Sequence, residues 1–170
     1  MKLGFRHTAF QAVCTVLALC CALAILGRGK TEMTLAEQQG VRVPVLMYHS
    51  ILKDSARQGQ YVVSPDVLSA DLDALQARGY QTVTVSDLIA YVYDDVPLPE
   101  KPIMITFDDG YYNNYVYAYP LLQQRGMRAV ISVIGSQTAQ YTENGVENAY
   151  WSHLRLDRRE EMQDVFEVQN

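Results

Sequence analysis

Two adjacent carboxylates, Asp108 and Asp109, followed by Gly110, are the residues of this chain best placed to do chemistry. They end the apolar run Ile103-Met104-Ile105, which follows Pro102 and reads as a strand buried on both faces. Neighbouring strand residues point to opposite sides, so the two acids can divide the work. One binds a cation, and the other, left free, moves a proton. Side by side they repel each other unless a cation or hydrogen bonds intervene. Taken alone, Asp-Asp-Gly also reads as a helix cap and a turn. A buried strand running into it puts the pair at the carboxyl edge of a sheet, where α/β proteins place their chemistry. A second candidate ends an earlier apolar run, Val43-Pro-Val-Leu-Met-Tyr-His49. His49 either lines the same cleft or makes a structural hydrogen bond.

The intervening sequence must position these groups. Ser64-Pro65-Asp66 predicts a helix start, with a capping hydroxyl, proline at the first position and an acid in the first turn. Val67, Leu68, Leu72 and Leu75 form its apolar stripe, and Gly79 ends it. Tyr80 to Val85 reads as a strand, and Ser86-Asp87 as the cap of a short helix. Beyond Gly110 a helix is expected to run to Gln124, with Gly126 closing it. Its tyrosines 111, 112, 115, 117 and 119 either stack on sugar rings or pack; their spacing spreads them around most of the helix, which favours packing. Arg128 to Ile134 predicts a buried strand, and Ser136 to Ala149 a polar surface loop. A capping box of Asp157 and Glu160 then precedes a short helix and a last strand from Phe166. Five strands alternating with helical or loop crossovers imply an α/β fold: a parallel sheet or an incomplete (β/α) barrel.

With 170 residues, a net charge of −5 and 49% hydrophobic content, the composition is globular, and nucleic acid is a poor match as partner. Cys14, Cys20 and Cys21 all fall in the first hydrophobic segment, so a metal would be held by His and carboxylate. That segment, Ala9 to Leu26, carries no charge and is flanked by Lys2 and Arg6 before it and by Arg28 and Lys30 after it. A cleaved signal peptide, a signal anchor and a lipoprotein signal compete for it. Leu19 before Cys20 argues against lipidation, and an uncleaved anchor is favoured. The expected organisation is residues 1–30 as signal anchor or signal peptide, 31–42 as linker and 43–170 as the catalytic-type domain. Its expected place is the cell membrane, single-pass with the domain outside, or secretion after signal cleavage.

The stretches Pro44-Val-Leu-Met-Tyr-His-Ser-Ile51 and Ile105-Thr-Phe-Asp-Asp-Gly-Tyr111, with the β/α order between them, resemble the polysaccharide deacetylase family. This is the NodB-homology domain, or carbohydrate esterase family 4. The Met-Tyr-His opening is most similar to the branch that deacetylates poly-N-acetylglucosamine at the cell surface. The resemblance implies the N-terminal part of a distorted (β/α) barrel and a metal-dependent removal of N-acetyl groups from a GlcNAc polysaccharide or peptidoglycan. It further implies Asp108 as catalytic base and Asp109 as ligand of a divalent metal, zinc or else cobalt, nickel or manganese. His49, Gly110 and Tyr111 would line the site, with the Tyr111 N–H as an oxyanion donor. The family completes its metal site with two histidines expected after the strand at Phe166. His7, His49 and His153 do not stand there, so the sequence is expected to be incomplete and to bind metal weakly. A membrane-anchored remnant that at most binds glycan is the alternative, and His153 is expected to be a solvated or capping histidine.

Overall fold

Seven short strands and five helices are built around one central strand in the computed structural model, which describes residues 40–170. The strands are β1 (Val45–Tyr48), β2 (Ser50–Ile51), β3 (Val62–Val63), β4 (Gln81–Thr82), β5 (Pro102–Phe107), β6 (Ala129–Ser132) and β7 (Phe166–Gln169). The main sheet has the order β1-β5-β6-β7, with β4 also paired to β5, and β2 and β3 form a small sheet of their own. Every strand pair is parallel. β4 pairs with the first residues of β5 and β6 with its last ones, so β5 is held along its length. The α/β fold with a parallel sheet, expected from the alternation of strands and crossovers, therefore holds.

Alternation along β5 explains why both of its faces are apolar. Ile105 and Phe107 join the larger core with Ala129, Ile131 and Phe166, whereas Met104 packs with Val83 and Val130 on the other side. The helix Pro65–Ala77 closes the larger core with Leu68 and Leu72, both fully buried. Each such leucine contributes roughly 1.5–3 kcal/mol of burial. Ser64 Oγ accepts from the Val67 N–H at 3.1 Å, as its capping position predicts.

Several expectations are corrected. The cap of the helix Val85–Tyr93 is Thr84, whose N–H and hydroxyl both donate to Asp87, rather than Ser86. Asp157 caps nothing: Arg155 holds it in an ion pair at 2.8 Å, and the helix Leu156–Glu161 starts without a side-chain cap. The predicted loop from Ser136 to Ala149 contains a helix, Gly135–Asn144, ended by Gly145 at φ +68°. The helix after Gly110 runs unbroken from 112 to 123, close to its expected end, but with a π-type segment over Asn114–Ala118 inside it. The predicted strand from Tyr80 shrinks to Gln81–Thr82, because Thr84 already begins the next helix. The hydrophobic segment Ala9 to Leu26, the three cysteines and His7 lie outside the described residues. Among the described residues, no helix is long and apolar enough to cross a membrane.

Candidate active site

The register of β1 and β5 builds the site. Tyr48 lies beside Phe107, so the next residues, His49 and Asp108, leave the sheet as neighbours. The Asp108 N–H donates to the Tyr48 carbonyl at 2.9 Å and extends the ladder by one step. His49 Nδ1 stands 3.8 Å from Asp108 Oδ2, a charge-pair distance too long for a hydrogen bond. That nitrogen is buried and has no hydrogen-bond partner. The imidazole leans on Tyr61, with ring centroids 5.0 Å apart.

Two buried amides set the position of this corner. Asn114 Nδ2 donates to the His49 carbonyl at 2.9 Å. Asn113 accepts from the Ile51 N–H and donates to Ser50 Oγ and to the Ala149 carbonyl, all within 3.0 Å. Both side chains are fully buried; Asn113 has partners for its oxygen and its nitrogen, whereas Asn114 Oδ1 has none among the described residues. Nothing in the sequence around Asn113 and Asn114 shows that they reach back to the first strand.

Asp109 takes φ +67°, a left-handed conformation uncommon for a residue with a side chain. Gly110 follows at φ +66°, and a Cβ there would meet Val133 Cγ1 at 2.8 Å. Glycine is thus required by both sterics and backbone, and the turn holds Asp109 apart from Asp108. Tyr111 forms an antiparallel bridge with His153, fixed by hydrogen bonds from the Tyr112 N–H to Ser152 and from the Leu154 N–H to Gly110. The Tyr111 N–H itself has no partner among the described residues.

His153 departs from expectation. It is neither solvated nor a cap but is sandwiched between Tyr111 and Tyr141, at centroid distances of 4.8 and 5.7 Å. Burial holds its pKa below the ordinary histidine value, and the charge of Asp109 pulls it partly back up. Its Nδ1 is also buried without a partner. A contact made through an antiparallel bridge over more than forty residues leaves no local sequence signal.

Of the five tyrosines after Gly110, only Tyr111 joins the site. Tyr112, Tyr115, Tyr117 and Tyr119 pack on the larger core, and Tyr112, Tyr115 and Tyr119 stack in series at 5.8 Å. Asp109 is an oxygen donor, and the neighbouring His153 is a nitrogen donor that a borderline cation accepts. Among the described residues, however, no three His, Cys, Asp or Glu side chains gather as a metal would need. Catalytic zinc usually takes three protein ligands, so these residues do not by themselves make up its site.

Residues 95–168 match the family of polysaccharide deacetylases. The chain is 36% identical over 105 residues to the Bacillus subtilis protein YxkH, described as a polysaccharide deacetylase; the match covers 62% of this chain and 36% of that protein. It is 32% identical over 91 residues to the poly-β-1,6-N-acetyl-D-glucosamine N-deacetylase of Escherichia coli K12, covering 54% of this chain and 14% of that one. Its fold is similar to that of the Streptococcus pyogenes deacetylase PplD in complex with acetate, with a TM-score of 0.63 and 27% identity. That likeness covers 76% of this chain and 56% of PplD. The chain thus spans a minor part of the curated relatives it matches.

Proposed function

Since the chain belongs to the polysaccharide deacetylase family, we propose that it forms part of a hydrolase that removes N-acetyl groups from N-acetylglucosamine units of a cell-surface polysaccharide or peptidoglycan. The sheet would be the N-terminal part of a distorted (β/α) barrel, displayed outside the cell on an N-terminal anchor or released from it. The strongest support is geometric: Asp108 and the buried, unpartnered Nδ1 of His49 face each other across 3.8 Å at the carboxyl edge of the sheet.

Amide hydrolysis needs a proton removed from water, a proton delivered to the departing nitrogen and a donor for the oxyanion between them. Asp108 accepts the water's proton. His49, beside it, is placed to supply the amine's proton. The Tyr111 N–H, free of other partners, is placed to donate to the oxyanion. Asp109 is the donor we propose for a divalent metal, with at least one further ligand required beyond it and His153.

The test is acetate release from β-1,6-linked N-acetylglucosamine oligomers and from peptidoglycan fragments. Asp108→Asn should lower release by about 10²–10⁴-fold, the usual worth of a general base. Undiminished release would remove Asp108 from that role. A second reading, glycan binding without turnover, is favoured by the short donor set around Asp109. Oligomer binding with neither acetate nor new reducing ends would support it.

A further inference from the structure

π-type turns are rare, and those that helices keep lie frequently at functional sites. The helix after Gly110 keeps one over Asn114–Ala118, where the Tyr119 N–H donates to the Asn114 carbonyl five residues back. Two buried amides stand at its opening: Asn113 precedes it and Asn114 begins it.

In a regular α-helix neighbouring side chains stand about 100° apart, so two in a row seldom serve the same neighbour. The extra residue of a π-type turn widens it and narrows that angle. Ala118, five residues after Asn113 and four after Asn114, is fully buried with them. Both amides thereby reach the point where the chain leaves the main sheet for the small one. Asn113 engages Ser50 Oγ and the Ile51 N–H, and Asn114 engages the His49 carbonyl. Two consecutive amides thus grip three consecutive residues.

His49 depends on this grip more than its neighbours do. It belongs to neither strand, since β1 ends at Tyr48 and β2 starts at Ser50. Its imidazole leans on Tyr61, and among the described residues no hydrogen bond aims its buried Nδ1. The backbone must therefore set where the ring stands relative to Asp108. On one side the Asp108 N–H ties β5 to the Tyr48 carbonyl; on the other, Asn114 Nδ2 ties the next carbonyl, that of His49. Asn114 does so with its own Oδ1 buried and unpartnered. A leucine of similar shape would spare that cost, so the donor is what asparagine adds here.

We propose that Asn114, presented by the π-type segment, is a positioning residue that holds His49 within reach of Asp108. It acts through the His49 backbone and touches no reacting atom. Its bearing on turnover rests on the reading of His49 and Asp108 as the acid and base of amide hydrolysis.

Asn114→Leu keeps the bulk of the side chain and removes the donor; Asn114→Ala repeats the test should the leucine prevent folding. In the full chain, kcat for acetate release from β-1,6-linked N-acetylglucosamine oligomers should fall roughly ten- to hundredfold with KM unchanged, the scale of a misplacement of about 1 Å. In the NMR spectrum the ring protons of His49, stacked near Tyr61, should move towards the positions of an unstacked histidine. A folded variant in which kcat and the His49 signals both stay as in the parent overturns the proposal. A fall in kcat that only matches the unfolded fraction overturns it too. Should the parent release no acetate, the hydrolysis reading fails by itself, and the His49 signals decide: moved, they keep the positioning role; unmoved, they remove it.

Discussion

Two clusters of titratable and aromatic side chains flank the helical segment that follows Gly110, and they differ in how completely their groups are partnered. Around Arg158 every group is engaged. Its guanidinium donates to Glu147 at 2.7 Å and to Glu161 at 2.6 Å, and it stacks over Tyr115 at 5.2 Å. Tyr115 in turn donates to Glu161 at 2.6 Å, and Tyr112 reaches Glu147 at 3.5 Å. The hydrogen bonds to Glu147 and Glu161 push the Arg158 pKa above its already high ordinary value. The hydrogen bonds from Tyr115 and then Arg158 hold Glu161 below the usual carboxylate range. At the sheet edge the pattern is reversed. His49 and His153 each keep a buried nitrogen without a partner, and Asp108 has a histidine near it but not bonded. Complete networks hold structure in place, whereas unpartnered buried groups mark where a ligand is to be received.

The largest break in this contrast should come from the turn that separates the acids. Gly110→Ala meets both a positive φ and a 2.8 Å approach to Val133. It should cost roughly 1–3 kcal/mol in thermal or urea denaturation. Gly126→Ala is the control, since φ there is +62° but nothing lies within 4 Å of the added carbon. It should cost only about 1 kcal/mol, the backbone part alone. Equal losses in the two variants would show that the Val133 contact adds no strain.

The Arg158 cluster should respond in the opposite sense. Arg158→Gln leaves Glu147 and Glu161 without their shared cation, so the melting temperature should fall modestly and acetate release should not change. The loss should shrink as salt is raised, because the side chains are partly exposed and their interaction is screened. A loss of turnover with intact stability would join this cluster to the chemistry and erase the contrast.

The parts of this arrangement that were legible in the sequence depend on short-range rules. The apolar run Ile103-Met104-Ile105 marked the central strand, and Ser64-Pro65-Asp66 marked its helix start correctly, whereas Asp109 lies beyond the strand at positive φ, where alternation no longer applies. The helix Gly135–Asn144 was hidden because it is polar and buries only Thr138, which leaves almost no apolar stripe to read. The π-type segment at Asn114–Ala118 was hidden because it adds one residue to a helix without a residue type of its own. Asn113 and Asn114 could be read as surface amides, since their partners lie more than thirty residues away. The misses that shape the site, Asn113, Asn114 and His153, concern contacts whose partners are distant in sequence.

His153 offers the finest test of how the two acids divide their roles. Burial lowers its pKa, so the folded chain takes up this proton less readily than the unfolded chain, whose ordinary value is 6.5. The unfolded state therefore binds more protons in that window, and stability rises with pH across it. The contribution is fully present above pH 6.5; it is lost as pH falls through that value towards the lower folded one. Denaturation midpoints of the parent chain should thus fall more steeply from about pH 7 to pH 5 than those of His153→Gln. Asp109→Asn removes the charge that favours the imidazolium, so it should lower the folded pKa further and deepen the loss. If Asp109→Asn leaves the pH profile unchanged, Asp109 is not electrostatically coupled to His153. The two would then act separately, and the carboxylate held at positive φ would need its cation donors from elsewhere.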